Sequence, residues 1–159
     1  MIIGAVALAA YQYVHYTEDL DLGIEVELPA MRALVTALQG EGFTTELREP
    51  DGDAPLTGVI DVTGPFGLIQ IVNFGNCFPA AIRDALAHGD ALVTPGGNLR
   101  IILLPQLIAL KLYAGGSKAK SDILKLLCRN PDADLGCIRQ TCKRYRLRGL
   151  GALLRELKR

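Results

Sequence analysis

The chain has 159 residues, half of them apolar, and its 17 basic and 17 acidic side chains give it no formal net charge. A chain of this length and apolar content can bury the core of a folded domain, so the composition excludes an intrinsically disordered protein. No uninterrupted apolar run approaches the roughly twenty residues that a membrane span requires, so we expect a soluble protein with no membrane partner.

The charges are distributed unevenly along the chain. Residues 1–61 contain eleven acidic side chains but only two basic ones, whereas residues 100–159 contain fourteen basic side chains and four acidic ones. An acidic half that could hold cations and a basic half that could meet phosphates are compatible with a protein that handles nucleotides. A solvated helix face is the other explanation for such a run of charges.

The cysteines and the amino-terminal segment predict the cellular location. The four cysteines form no Cys-x-x-Cys pair and the chain has only two histidines, so a zinc site is not expected. The apolar start of the chain lacks the basic residues of a secretory signal and leads directly into acidic residues. We therefore expect a cytoplasmic protein with reduced thiols.

The first half of the chain predicts a helix followed by a mixture of strands and one further helix. Residues 4–16 are rich in Ala, Leu and Val without a breaker after Gly4, which predicts a mostly buried helix. The acidic segment 17–23 follows as a strand. Next come a helix over 29–39, a strand over 43–47, a loop over 49–55, and two strands over 57–63 and 68–74 that Gly64-Pro65-Phe66-Gly67 joins as a hairpin.

The second half of the chain is mostly helical in its predicted structure. A short amphipathic helix is expected over 78–88 and a last strand over 99–104. Four helices then follow, around 107–113, 118–128, 135–145 and 147–157, with Gly115 and Gly116 separating the first two. We expect an α/β core over 1–104, with a helical part over 105–159 packed on it as one compact domain.

The stretch Thr17-Glu18-Asp19-Leu20-Asp21-Leu22-Gly23 is the strongest candidate for a functional site. On a strand, Asp19 and Asp21 share one face, because successive side chains point to opposite sides. Two carboxylates held so close repel each other unless a cation or a shared proton offsets the repulsion. Oxygen ligands of this kind suit Mg²⁺, although an isolated Asp-x-Asp is more often a surface turn.

Two motifs give the chain a resemblance to a known superfamily. Gly4-Ala5 followed by Tyr16-Thr17-Glu18-Asp19-Leu20-Asp21-Leu22 resembles the motif of the minimal nucleotidyltransferases, in which Gly-Gly or Gly-Ser precedes Asp-x-Asp by about ten residues. The segments 104–114 and 117–123 resemble those of the AbiEii-like branch, which is associated with bacterial toxin–antitoxin modules. The resemblance covers most of residues 1–128, and the two motifs occur in the expected order.

The resemblance implies a polymerase-β-like fold, a mixed sheet flanked by helices that binds a nucleoside triphosphate such as ATP together with Mg²⁺. It implies that Asp19, Asp21 and a third carboxylate hold the metal ions and carry catalysis. Gly4, Ala5 and Thr17 would lie near the triphosphate. Lys111 and Lys118 match basic positions near the nucleotide, and Asp122 matches a carboxylate that often partners them.

The chain departs from the superfamily pattern at its third carboxylate. If the strand 68–74 is the equivalent strand, the position holds Gln70, a neutral amide that binds Mg²⁺ poorly. If the strand 57–63 is equivalent, Asp61 fills the position, and of the two we favour Asp61 as the third catalytic and metal-binding carboxylate. Ala5 also replaces the usual Gly or Ser, which removes a possible hydroxyl contact to phosphate but leaves the backbone donors.

The sequence supports two functional hypotheses. The first is a Mg²⁺-dependent nucleotidyltransferase that moves a nucleoside monophosphate from an NTP to a hydroxyl of RNA, a tRNA among the possibilities, or of a partner protein. The second is a catalytically degenerate member of the same fold that serves as a binding module, for example as half of a toxin–antitoxin pair. The basic cluster 143–148 could grip RNA phosphates, or could be the outer face of an amphipathic helix.

Overall fold

The computed structural model describes residues 1–14, 19–50, 56–75, 79–88, 90–94 and 97–157. Within these ranges the chain is a mixed α/β protein. Its elements follow the order helix, strand, helix, three strands, helix, two strands and four helices. The helices are α1 (Gly4–Ala10), α2 (Leu28–Gly40), α3 (Pro79–His88), α4 (Leu104–Ala114), α5 (Gly116–Arg129), α6 (Leu135–Arg144) and α7 (Leu150–Glu156). The strands are β1 (Asp19–Ile24), β2 (Thr44–Arg48), β3 (Gly58–Gly64), β4 (Gly67–Asn73), β5 (Asp90–Thr94) and β6 (Gly97–Ile101).

The main sheet has the strand order β1-β4-β3-β2. β1 runs parallel to β4, whereas β3 lies between β4 and β2 and pairs antiparallel with each of them. The predicted hairpin at Gly64-Pro65-Phe66-Gly67 is confirmed, since Gly64 pairs with Gly67 across a two-residue loop. β5 and β6 form a separate antiparallel pair.

The first three residues connect the two sheets. Ile2 forms one bridge to Leu22 of β1 and another to Ile101 of β6. Its amide donates to the Arg100 carbonyl at 2.7 Å, and the Ile3 amide donates to the Asp21 carbonyl at 2.9 Å. This pairing fixes the start of α1 directly beside Asp21.

The two faces of the main sheet differ in what covers them. One face packs against α2, where Met31, Ile60, Val62 and Ile71 form a small buried core. A larger core lies between β1, the helices α1 and α3, and the helices α4 to α7, and it combines residues from both predicted halves of the chain. The described residues contain no helix that is both long and apolar enough to cross a membrane.

Several predicted boundaries are wrong for local reasons. The helix predicted over 4–16 ends at Ala10, because Gln12 has a φ of 60° and the chain turns there. The predicted strand 99–104 begins earlier, at Gly97, and Leu104 already starts α4, whose Pro105 fits the first turn of a helix. The last helix starts at Leu150 rather than 147, after Gly149 with a φ of 102°. β5 was not predicted at all.

Candidate functional site

Asp21 lies at the centre of the candidate site, on β1 beside the first residue of α1. Gly4 has a φ of +63°, and a Cβ atom placed on it would lie 1.8 Å from Oδ2 of Asp21. Only glycine fits this approach, since any side chain would overlap the carboxylate and strain the backbone. The amide of Ala5 donates a hydrogen bond to the same carboxylate. The Ala5 amide, predicted to face phosphate, therefore has Asp21 as its partner.

Asp19 shares the charged face of β1 with Asp21, as the strand reading predicted. The pKa of the Asp21 carboxyl is raised, first by burial and second by the charge of Asp19. The Ala5 amide and the cations of Lys111 and Lys118 oppose this rise. The protein thus holds a half-buried carboxylate next to a second one, a costly arrangement that a bound cation would relieve.

Gln70 occupies the position beside Asp21 on the neighbouring strand β4. In the parallel pairing of β1 with β4, Asp21 lies directly opposite Gln70, and in the antiparallel pairing of β4 with β3, Gln70 lies opposite Asp61. Directly paired residues project from the same face, so the three side chains form one row. Asp61 is two strands from Asp21, about 10 Å away along the sheet at the usual strand spacing.

Asp61 is already engaged by other side chains. Its Oδ1 accepts hydrogen bonds from Nε2 of Gln70 at 2.8 Å and from Nη2 of Arg48 at 3.0 Å. Its Oδ2 lies 2.9 Å from the same Arg48 nitrogen. Asp61 therefore forms an ion pair at the far side of Gln70. The sequence alone did not identify Arg48 as this partner. In the pairing of β2 with β3, Asp61 lies opposite Glu46, and Arg48 lies two residues after Glu46 on the same sheet face.

Lys111 and Asp122 form the second charged element of the site. Nζ of Lys111 on α4 lies 2.7 Å from Oδ2 of Asp122 on α5, whose side chain is 3% exposed. The hydroxyl of Tyr13 donates to the other carboxylate oxygen at 3.3 Å. Asp122 thus forms an ion pair with Lys111 of the preceding helix. No sequence pattern pointed to Tyr13.

A cleft of about 640 Å³ lies between the start of α1, β1 and α4. Among the described residues, the charged members of its wall are Asp21 and Lys111. The remainder of the wall is almost entirely apolar and comprises Ile3, Gly4, Leu56, Val72, Phe74, Leu107, Leu110, Tyr113 and Ala114. A cleft of this size, apolar with a few polar groups at one end, is typical of sites for small molecules.

The donor set near Asp21 suits a cation that arrives with its own oxygen ligands. Among the described residues, no cluster of three or more His, Cys, Asp or Glu side chains is arranged to hold a metal ion. Asp19 and Asp21 supply two carboxylates, the number that Mg²⁺ commonly takes from a protein when substrate phosphates complete its shell. Thr17, the remaining predicted contact, lies outside the described residues.

Replacement of Asp21 by asparagine is expected to stabilise the free protein at neutral pH. Because the native pKa of Asp21 is raised, the native state binds this proton more tightly than the unfolded state, and stability is lost as the pH rises through the native pKa. The gain from Asp21→Asn should vanish near pH 3 and grow above the ordinary carboxyl pKa. Urea unfolding from pH 3 to pH 8 measures it, with Asp132→Asn at an exposed turn as control. An Asp21→Asn variant less stable than wild type at pH 7 would contradict this account.

Comparison of the chain with models of known protein families and with curated proteins gives no match.

Proposed function

We propose that the chain is a nucleotide-binding module with a polymerase-β-like nucleotidyltransferase fold, and that it binds a nucleoside triphosphate with Mg²⁺ but transfers the nucleotide poorly. The observation that carries the proposal is the placement of Asp21 at the charged end of an apolar cleft. The Asp21 carboxylate lies against Gly4, and Asp19 is two residues before Asp21 on the same strand face.

The walls of the cleft suit the two parts of a nucleotide. The apolar side chains of Phe74, Leu110 and Tyr113 offer a surface for a base and sugar, while Asp21 and Lys111 lie where phosphates would be held. Asp19 and Asp21 would hold the cation, which when bound neutralises phosphate charge. Lys111 is positioned by its ion pair with the buried Asp122, so its ammonium group stays at the cleft.

Gln70 is the reason to expect poor transfer. Nucleotidyl transfer needs a group that accepts the proton of the attacking hydroxyl, and a neutral amide cannot do so. Asp61, the nearest carboxylate in the row, is bound by Arg48 and by Gln70 itself. The binding hypothesis is therefore favoured over the transferase hypothesis.

A second candidate function is the active transferase. One observation favours it: Asp61 lies on the same sheet face as Asp21, with only Gln70 between them. A movement of Asp61 away from Arg48 would bring a carboxylate towards the cleft. The acceptor would then be a hydroxyl of RNA or of a partner protein, including a cognate toxin or antitoxin.

Replacement of Gln70 by aspartate is expected to raise nucleotidyl transfer by about 100-fold, because it adds the missing carboxylate opposite Asp21. Each of four labelled NTPs is incubated with Mg²⁺ and either total RNA or the total protein of a cell lysate, and labelled acceptor is counted. The control is Gln39→Asp, the same change at an exposed position of α2. Calorimetric titration with ATP and Mg²⁺ should show binding to wild type and its loss in Asp21→Asn.

Two results would overturn the binding proposal. Wild-type protein that transfers label as fast as Gln70→Asp, and loses this transfer in Asp61→Asn, would establish the second candidate instead. Absence of NTP binding to wild type in the presence of Mg²⁺ would remove both functions.

A further inference from the structure

A groove lined by cationic side chains lies at the turn between α6 and α7. Arg139 and Lys143 project from α6, and Arg146 and Arg148 from the connecting segment, into a depression of about 530 Å³. All four residues are exposed. We call this depression the basic groove.

The basic groove adjoins the candidate nucleotide cleft through a smaller depression of about 250 Å³. Arg148 and Gly149 line both the basic groove and the smaller depression. Lys111 lines both the smaller depression and the nucleotide cleft. The three depressions therefore lie side by side along helices α4 to α7, and Lys120 adds one more cation to the middle one.

Within the described ranges, the cations of the basic groove form no salt bridge. The neighbouring Arg144 is paired with Asp84. In the described part of the chain, no salt bridge includes Arg139, Lys143, Arg146 or Arg148. Of the residues whose positions the structure gives, none that lines the basic groove is acidic, and Glu156 is the acid that lines the middle depression. Four exposed cations around one depression repel each other, and an extended polyanion would relieve that repulsion.

The backbone holds one of these cations in an unfavourable conformation. Arg146 has a φ of 55°, and it follows α6 in the position where helices usually place glycine. The amide of Leu147 donates to the Cys142 carbonyl at 2.9 Å, which closes this helix end. A glycine here would close the same turn with less backbone strain. Arginine at this position therefore lowers the stability of the turn while it adds a positive charge to the groove.

The floor of the basic groove is apolar, with Leu147, Leu150 and Leu154 among its residues. Cations at the rim and an apolar floor suit a single strand, whose phosphates lie at the rim while its bases lie against the floor. Tyr145 does not serve as a stacking surface, because its hydroxyl donates to Asp84 at 2.6 Å and its ring is half-buried.

We propose that single-stranded nucleic acid binds in the basic groove and runs through the middle depression towards the nucleotide cleft. Because the groove residues lie outside that cleft, this inference does not depend on nucleotide binding and can fail or succeed separately. RNA and DNA offer the same phosphates, and the 2′-hydroxyl distinguishes them.

Fluorescence anisotropy tests this proposal with a labelled 12-nucleotide RNA, the DNA of the same sequence, the duplex, and poly-glutamate at equal charge. We expect the single strands to bind more tightly than the duplex and than poly-glutamate. The double variant Lys143→Ser/Arg146→Gly should bind RNA about tenfold more weakly and lower the slope of log affinity against log salt by about 1.4, since each phosphate contact contributes about 0.7.

The matched control is Arg32→Ser/Arg83→Ser, which removes two exposed cations elsewhere and should bind RNA within twofold of wild type. Arg146→Gly alone should not lower the stability of the protein, so a loss of RNA binding in it is not a loss of folding. Equal loss in the control pair, or poly-glutamate binding as tight as that of RNA, would overturn the proposal. ATP with Mg²⁺ should bind to Lys143→Ser/Arg146→Gly as it does to wild type, because neither residue lines the nucleotide cleft, and this titration separates a failure of RNA binding from a failure of nucleotide binding.

Discussion

Replacement of Asp122 by alanine is expected to lower the free energy of unfolding by about 3 kcal/mol, because it leaves the Lys111 ammonium without its partner in a largely buried position. The Tyr13 hydroxyl loses an acceptor as well. Lys111 would also lose its position at the cleft, so ATP should bind more weakly. Urea denaturation and calorimetric titration measure the two effects.

Two control variants separate the effect of breaking the ion pair on stability from the effect of removing any carboxylate. Asp132→Ala, at an exposed turn, should change stability by no more than about 0.5 kcal/mol. The double variant Lys111→Met/Asp122→Leu removes both charges and should recover at least half of the lost stability, since an apolar pair can replace a buried ion pair. Nucleotide binding should stay weak in it. A double variant as unstable as Asp122→Ala would show that packing, not the unpaired charge, causes the loss.

Replacement of Gly4 by alanine is expected to destabilise the protein by about 2 kcal/mol, from the strain of a positive φ and the displacement of Asp21. The new methyl group cannot coexist with Oδ2 of Asp21 in its present position. Asp21 must therefore move, and ATP binding in the presence of Mg²⁺ should weaken at least tenfold. Thermal unfolding and calorimetric titration give both quantities.

Two other glycines supply the controls. Gly42 also has a positive φ, of +87°, but nothing lies within 4 Å of its missing Cβ, so Gly42→Ala reports the backbone strain alone. Gly40 has neither the strain nor a neighbour, and Gly40→Ala near the end of α2 should leave stability unchanged or slightly raised. Both variants should bind ATP as wild type does. Nucleotide binding that survives in Gly4→Ala would remove Asp21 from the site.

The strands of the main sheet could be predicted because local patterns determine them. The alternation of Asp and Leu in β1 and the Gly-Pro-Phe-Gly turn between β3 and β4 depend on residues adjacent in sequence. β5 has no such pattern and was missed. The premature end of α1 depends on Gln12, whose positive φ no propensity predicts.

The candidate site was only partly predictable, since its decisive feature is the order of strands. Sequence alone left Asp61 and Gln70 as alternatives for the position beside Asp21, and only the pairing of β1 with β4 places Gln70 there. Tyr13 and Asp122, which are in contact, are more than a hundred residues apart in sequence, and no local pattern predicts their contact. Neither the motif resemblance nor the charge pattern could supply such distant contacts.

The bridge that Ile2 makes to β1 and β6 has a consequence for how the site forms during folding. Its partners, Leu22 and Ile101, are separated by about half of the chain, so the segment that positions Gly4 cannot be fully paired until residues near 100 are available. Contacts between residues far apart in sequence slow folding, because a long loop must close before they form. On a ribosome, the cleft would therefore be completed late, after α4 and α5 have emerged with Lys111 and Asp122.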